Sequence, residues 1–429
     1  MALGLAGIIL LLFLLIAGVP LFFSMATVGL TGLALLLGLE KAVASIVLHA
    51  TSFVSSYTLS VVPVFVLMGY LALRVGISGQ LFDFAYKWGG RLPGGLAVAA
   101  VGAGGLFAAI TGSSAACAAA IGSVSLPEMK KRNYDDGLAT GCLAAAGTLG
   151  ILIPPSIAAV IYAVVADTSV GKQLMAGVIP GVISMVIFAA MIILRCQRNS
   201  RLGPRAVGIP WKDSFRSIWG VWPILVVFGT MFGGIYAGIF IPTEAGAGGT
   251  LAVFIITVAK RGLNWNNFKE ALSESIRVVG MMMAILIGAS LFAMFITLSR
   301  LPYEIAEFVA GLDFPRMAIL ILILLPYLPA GMFIDSISLI LITVPIMIPV
   351  VRQFNFDPVW FGILIVKLVE IGLITPPVAG NLFVIKGIAP DIPFETIAKG
   401  AVPFILADLV TLAILIAIPQ LSLLIPSLM

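Results

Sequence analysis

Two Pro-Pro pairs stand inside apolar runs long enough to cross a bilayer: Gly150-Ile-Leu-Ile-Pro154-Pro155 and Gly372-Leu-Ile-Thr-Pro376-Pro377. Proline lacks an N–H, and its ring collides with the carbonyl four residues earlier, so two in succession break a helix. The carbonyls of 150–153 and 372–375 then become oxygen ligands without a helical donor. Each pair follows a serine set in a stretch of small or polar residues: Ser114 in Thr111-Gly-Ser-Ser114, and Ser336 in Gly331-Met-Phe-Ile-Asp335-Ser336. The interval from Ser114 to Pro154 equals that from Ser336 to Pro376. Half-helix N-termini beyond those stretches offer partial positive charge to an anion. The chemistry on offer is reversible binding: a small cation between each tip and each break, and an anionic substrate between the two. The competing reading is a pair of kinked helices packed through small residues.

Few charges lie at membrane depth, and each needs an account. Asp335 either faces a substrate cavity or caps the half-helix that follows it. Lys367 and Glu370 are spaced i,i+3 and are expected to neutralise each other, with a substrate-binding Lys367 the lesser reading. Asp408 has no sequence-local partner. His49 falls near an outer membrane edge, where an interfacial role outweighs proton relay.

These residues must be positioned by membrane-spanning helices. Of 429 residues 61% are hydrophobic and 10% charged, with a mean hydropathy of +1.18, against about 25% charged in soluble domains. Uncharged runs such as 1–39 exceed the roughly 20 residues a crossing needs. The ~10-residue alternation of a membrane β-barrel is missing, so the chain is an all-α polytopic membrane protein.

An internal repeat organises it. The offset that carries Pro154-Pro155 onto Pro376-Pro377 also carries Pro20 onto Pro242, Pro127 onto Pro349, Ser114 onto Ser336, and Asn133-Tyr134-Asp135 onto Asn355-Phe356-Asp357. The halves are 1–205 and 217–429, joined by a basic connector at 206–216. The first has spans near 3–18, 23–39, 52–73, 137–166 and 174–194; the second has them near 218–239, 245–259, 277–298, 358–386 and 401–425. The stretches 93–127 and 316–350, polar at mid-point, read as re-entrant hairpins, and 137–166 and 358–386 as broken helices. Irregular backbone at that depth must be satisfied by protein or a wet cavity. Five crossings per half is an odd number, so the second half is inverted, the architecture of secondary transporters. With the N-terminus outside, 18 of the 24 basic residues fall on the cytoplasmic side, as the positive-inside rule demands. The segments 74–91 and 260–277 are expected along the membrane surface. The longest outward loops are expected near 40–51 and 299–315.

Other classes are excluded. The net charge of +5 comes from loops between apolar spans and is topology, not a nucleic-acid footprint. The basic tract 195–216 is a connector, with anionic lipid as a second reading. Cys117, Cys142 and Cys196 lack metal-ligand spacing, the single His49 rules out HExxH chemistry, and no Walker motif is present. An enzyme fails for want of a catalytic constellation. The stretch Met1–Gly38 is expected not to be a signal peptide, being too long for one and lacking the basic start.

Five motifs in order carry a family resemblance over essentially the whole chain. Tyr236-Ala-Gly-Ile-Phe-Ile-Pro-Thr-Glu-Ala245 resembles the G-x-x-T-P-T-E-A signature of the large membrane subunit of tripartite ATP-independent periplasmic (TRAP) transporters, with Ile241 where threonine is frequent. Similar to that family too are Gly112-Ser-Ser-Ala-Ala116 with Leu126-Pro-Glu-Met129, Gly147-Thr-Leu-Gly-Ile-Leu-Ile-Pro-Pro-Ser156, Gly331-Met-Phe-Ile-Asp335, and Gly372-Leu-Ile-Thr-Pro-Pro-Val-Ala-Gly-Asn381. The resemblance implies an elevator-type ion-transporter fold and sodium-coupled import of organic anions across the bacterial inner membrane. It also implies two partners: a small four-helix membrane subunit and a periplasmic substrate-binding protein. Carried over by motif, one sodium site takes Gly112, Ser113, Ser114, Gly150, Ile153 and Ser156, and the second Gly331, Gly372, Thr375 and Val378. Substrate would meet Ser114, Pro155, Asp335, Ser336, Pro377 and Asn381. Carbonyl-rich sites suit a hard cation. The runner-up is a self-sufficient carboxylate transporter on the same architecture.

Overall fold

The computed structural model describes every residue except 1, 75, 206–209, 261–262 and 312–313, with the side chains of 53 and 54 also left aside. The described residues form helices joined by short turns. Six of these helices are long and apolar enough to cross a membrane, or up to eight if each bent pair counts as one span. The chain is a multi-pass membrane protein.

Two groups of helices are densely packed, and they also touch each other, Val61–Arg74 meeting Gly95–Thr111 and Trp265–Leu298 meeting Ser336–Gln353. One gathers Leu21–Leu37, Val61–Arg74, Pro242–Ala259 and Trp265–Leu298. A close crossing runs through Gly29 and Gly288: a Cβ on Gly29 would stand 2.6 Å from the Leu291 carbonyl carbon, and one on Gly288 2.8 Å from the Phe22 oxygen. Small residues let backbones approach this closely, which is how helices cohere where lipid is as apolar as leucine. In the other body the hairpin Gly95–Thr111 and Ser114–Lys131 wraps Asp136–Leu152, with Val178–Arg198 and Phe394–Ala417 packed alongside. Gly141 meets Gly400 there; a Cβ on Gly141 would lie 2.2 Å from the Gly400 oxygen.

Elements recur at the offset that relates the two Pro-Pro pairs. Ser114–Lys131 and Ser336–Gln353 each have 18 residues, and Asp136–Leu152 and Pro358–Ile374 each have 17. Asn133 and Asn355, at φ 55° and 53°, take the same left-handed turn, which asparagine tolerates. Asp135 and Asp357 then cap the following helices, accepting from Leu138 N–H at 2.8 Å and from Val359 N–H at 2.8 Å. Local capping chemistry therefore starts both broken spans in the same way. The two parts of the chain also interlock: the Tyr162 hydroxyl donates to the Pro358 carbonyl at 2.6 Å, Arg352 donates to that of Ala166 at 3.0 Å, and Lys130 pairs with Asp391 at 2.6 Å.

Three expectations need correction. The stretch 40–51 is not a loop but lies in the helix Leu39–Val54; its polar residues sit on a helical stripe, and Gly38 at φ 88° only turns the chain into it. Within 299–315, Leu301–Ala310 is likewise helical, and 312–313 lie outside the described residues. The segment 260–277 is not a separate surface element from Trp265 onward, because Trp265–Leu298 is one helix of 34 residues. No glycine or proline occurs in it before Gly280, so nothing interrupts its hydrogen bonds. By contrast, Ile77–Gly89 is a helix of its own, and Trp211–Phe228 begins inside the expected connector, of which 206–209 lie outside the described residues.

Candidate functional site

Both hairpins turn where the sequence is small and polar. Gly112, at φ 62°, ends the first arm in a left-handed conformation, and Ser113 caps the second arm by accepting from Ala116 N–H at 3.4 Å. The second hairpin reaches its turn through Arg316–Leu324 and Tyr327–Gly331. Asp335 caps its returning arm, accepting from Ile337 N–H and Ser338 N–H at 3.1 Å each and from the Ser338 hydroxyl.

Each tip lies against the break of its own half. The break after Leu152 bends the first span by 43°. Ile153 closes the helix on the Leu149 carbonyl at 3.0 Å, and Ser156 opens the next by accepting from Ala159 N–H at 3.1 Å. A Cβ on Gly150 would stand 2.7 Å from the Ser113 oxygen, and one on Gly112 2.8 Å from that of Pro155. Tip and break backbones thus meet closely at two points, although the Ser113 oxygen also accepts from Cys117 N–H at 3.0 Å. In the other half a Cβ on Gly372 would stand 2.4 Å from the Gly331 oxygen. The Gly372 carbonyl is not free there, since it accepts from Thr375 N–H at 3.1 Å. The Thr375 hydroxyl donates to the Ile371 carbonyl at 2.5 Å. Pro154-Pro155 and Pro376-Pro377 are both cis peptides. Val378 is 45% exposed.

One cavity of about 400 Å³ joins the tips. Of the residues singled out from sequence, Gly112, Ser113, Ser114, Asp335, Ser336 and Asn381 line it; Gly150, Ile153, Pro155, Ser156, Gly331, Gly372, Thr375, Pro377 and Val378 stand outside its lining. Its opposite wall comes from the other body, with Gly69, Tyr70, Val278 and Met281. Sequence reasoning missed that wall, because nothing local marks which face of a uniformly apolar helix meets a cavity. Asp335 both caps its helix and lines the cavity, so its two readings are compatible. Asn381, buried, donates from Nδ2 to the Ser114 hydroxyl at 2.6 Å and to the Ala144 carbonyl at 3.1 Å. It therefore ties the helix after the second break to the tip of the first hairpin.

The other charges sit elsewhere. Lys367, Glu370 and Asp408 are fully buried, and Lys367 Nζ lies 2.5 Å from Asp408 Oδ1, 3.2 Å from Glu370 Oε2 and 3.0 Å from the Ser184 hydroxyl. The shorter pair is the one across helices, so Asp408 has its partner in Lys367. That contact was invisible in sequence, 41 residues apart on separate spans. His49 Nε2 contacts the Met294 sulfur at 3.1 Å beside a second cavity lined by Leu286, Leu341 and Pro345.

The family model for the DctM component of tripartite ATP-independent periplasmic transporters matches residues 8–421. The C4-dicarboxylate TRAP transporter large permease protein of Pseudomonas aeruginosa is 37% identical, with 94% of each chain covered. The sialic acid TRAP transporter large permease protein of Vibrio cholerae is 33% identical, covering 97% of this chain and 96% of its own. Among solved structures, the YdaH transporter of Alcanivorax borkumensis superposes with a TM-score of 0.63 over 89% of this chain and 88% of its own. At 16% identity that likeness speaks for the fold alone. With a family model spanning nearly its whole length and relatives of this identity, the chain belongs to the DctM family, the large membrane subunits of TRAP transporters.

Proposed function

We propose that this chain is the translocating subunit of a sodium-coupled importer of small organic acids, working by an elevator movement in the bacterial inner membrane with its N-terminus periplasmic. The observation that carries the reading is the convergence of two hairpin tips, each pressed backbone-to-backbone on a Pro-Pro break, around one cavity. A backbone oxygen stands beside each of Gly150 and Gly372, from Ser113 and Gly331, and oxygen donors suit sodium, a hard cation. The N-terminal residues of the first half-helix, Ser114 to Ala116, line the cavity and favour a carboxylate, whereas at the second the Ile337 and Ser338 N–H groups are taken by Asp335. Asp335 is held against its own helix by backbone N–H groups and the Ser338 hydroxyl, which turns its bonded oxygens away from free exchange with a substrate. Relatives named for C4-dicarboxylate and for sialic acid both handle carboxylates, which supports organic acids as the substrate class.

In this reading the five-crossing halves are inverted, and the moving body comprises both hairpins and both broken spans. Val178–Arg198 and Phe394–Ala417 belong with it, since Ser184 and Asp408 hold Lys367 of the second broken span. The fixed body supplies the wall of Gly69, Tyr70, Val278 and Met281. A small four-helix subunit braces that body within the lipid, and a periplasmic binding protein delivers substrate. Nucleic acid has no part. Replacing sodium by choline on both sides of proteoliposomes holding the assembled transporter tests the coupling. Uptake is expected to collapse; an unchanged rate would overturn it.

A further inference from the structure

The short helix Ile77–Gly89 packs against the start of the span Trp211–Phe228, and a cleft of about 360 Å³ remains between them. Gly79, Gln80, Asp83 and Lys87 line it from one side, Arg216 and Ser217 from the other. The two walls are pinned together beside the cleft. Trp88 Nε1 donates to the Ser214 carbonyl at 3.1 Å, the Ser214 hydroxyl donates to the Lys87 carbonyl at 2.8 Å, and Arg91 donates to that hydroxyl at 2.8 Å. A Cβ on Gly79 would meet nothing within 4 Å, so the space is open there.

The cleft is cationic. Asp83 is held by Lys87 at 2.6 Å, which leaves the Arg216 guanidinium without an acid or a hydrogen-bond partner among the described residues. The side chains lining the cleft therefore carry one positive charge in sum. Lys260 Nζ adds a second beside it and meets neutral groups, Gln80 Oε1 at 2.6 Å and the Trp222 ring at 5.9 Å. Arg216 also begins a stripe. Arg216, Trp219, Trp222 and Val226 follow at intervals of three, three and four, and all are exposed; residues so spaced share a helix face. Tryptophan gathers at the headgroup level of a bilayer, and Trp211–Tyr236 is one of the helices long and apolar enough to cross. The stripe runs from a cation through indoles to aliphatic surface, the order of phosphate, ester region and acyl chain in a lipid.

We infer that this cleft binds an anionic phospholipid, with its phosphodiester on Arg216 and its acyl chains along Trp219, Trp222 and Val226. A guanidinium suits a phosphate, because its planar fork donates two parallel hydrogen bonds. The single negative charge of a phosphodiester matches the cleft's own surplus, and the apolar stripe below it distinguishes a lipid from a free phosphate. Ile77–Gly89 packs on the hairpin arm Gly95–Thr111, whereas Trp211–Phe228 also packs on Pro242–Ala259. The lipid thus sits at a joint between the two groups of helices and braces it. The inference stands whether or not sodium drives uptake.

Thermal melts of the purified, delipidated full-length chain in a non-ionic detergent test it. Phosphatidylglycerol is expected to raise Tm in a saturable way, while phosphatidylcholine with the same chains and soluble glycerol 3-phosphate leave Tm unchanged. Arg216→Gln is expected to raise the half-saturating phosphatidylglycerol concentration at least about tenfold. Lys172→Gln removes the same charge from an exposed residue on a different helix and is expected to titrate as the parent. Equal stabilisation by phosphatidylcholine would overturn the headgroup site, and stabilisation by glycerol 3-phosphate would make it a site for free phosphate. A parent-like titration in Arg216→Gln, or the same loss in Lys172→Gln, would also overturn the assignment. Should Arg216→Gln fail to fold, the comparison of the two lipids on the parent still decides. Repeating the melts with the small membrane subunit bound separates the remaining occupant: loss of the lipid response there would show that the subunit covers this face, and would overturn the inference.

Discussion

Asn381 connects parts of the chain that are distant in sequence. The Ala144 carbonyl can only accept, so the amide nitrogen must face it, and the same nitrogen reaches the Ser114 hydroxyl. Asn381→Ala leaves both acceptors buried, a loss of about 1–3 kcal/mol, expected as a lower Tm and as an uptake rate reduced at least about tenfold. Asn381→Asp is expected to be worse, because a carboxylate oxygen would oppose the Ala144 carbonyl. Thermal melts paired with uptake assays check this; a wild-type rate in Asn381→Ala would remove the tie from the mechanism. In the sequence Asn381 stood out only through a motif, and its partner, 267 residues away, did not show. The same limit hid Asp408 behind the more obvious Lys367 and Glu370 pair. Spacing along one helix reveals i,i+3 partners, whereas partners on other spans depend on packing that sequence does not display.

Elements were easier to read than contacts. The Pro-Pro breaks and the small polar tips act through local backbone chemistry, so their positions were legible; Asp135 and Asp357 stood out in the sequence only as members of the repeat, and their capping role showed in the structure. The helix Leu39–Val54 was not, because the few polar residues that suggested a loop are compatible with one helical face. Nor was the continuity of Trp265–Leu298, since a charged start to an apolar helix looks like a connector. Tip against break is the contact on which the site depends. Gly372→Ala would force a Cβ to within 2.4 Å of the Gly331 backbone oxygen, and backbone yields less readily than a side chain. The expected cost is about 1–3 kcal/mol, with uptake lost. Gly150→Ala, at 2.7 Å from the Ser113 oxygen, is expected to do the same in the other half. Gly220→Ala, whose Cβ would meet nothing within 4 Å, is the control and is expected to behave as the parent. Normal uptake by Gly372→Ala would separate the break from the ion site.

At the scale of the whole molecule, two packed bodies meet across one cavity, and each supplies a wall. Under the proposed elevator movement one body would carry the site past the other only if the second is held still, which is the role proposed for a small membrane subunit. Membership of the DctM family places this chain within a tripartite transporter, and no described segment has the makings of a soluble capture domain. The connecting helices Leu39–Val54, Ile77–Gly89 and Leu301–Ala310 have 16, 13 and 10 residues, against about 50 for a small domain. In the proposed function cargo capture falls to a separate periplasmic protein, and the central claim of that proposal is that uptake needs all three parts and a sodium gradient. The direct measurement is radiolabelled organic-acid uptake into proteoliposomes under an inward sodium gradient, with each component omitted in turn. The account expects rapid uptake from the complete set and background uptake from every incomplete one. Full-rate, sodium-driven uptake of free substrate by this chain alone would contradict it, and would make the chain a self-sufficient carboxylate transporter.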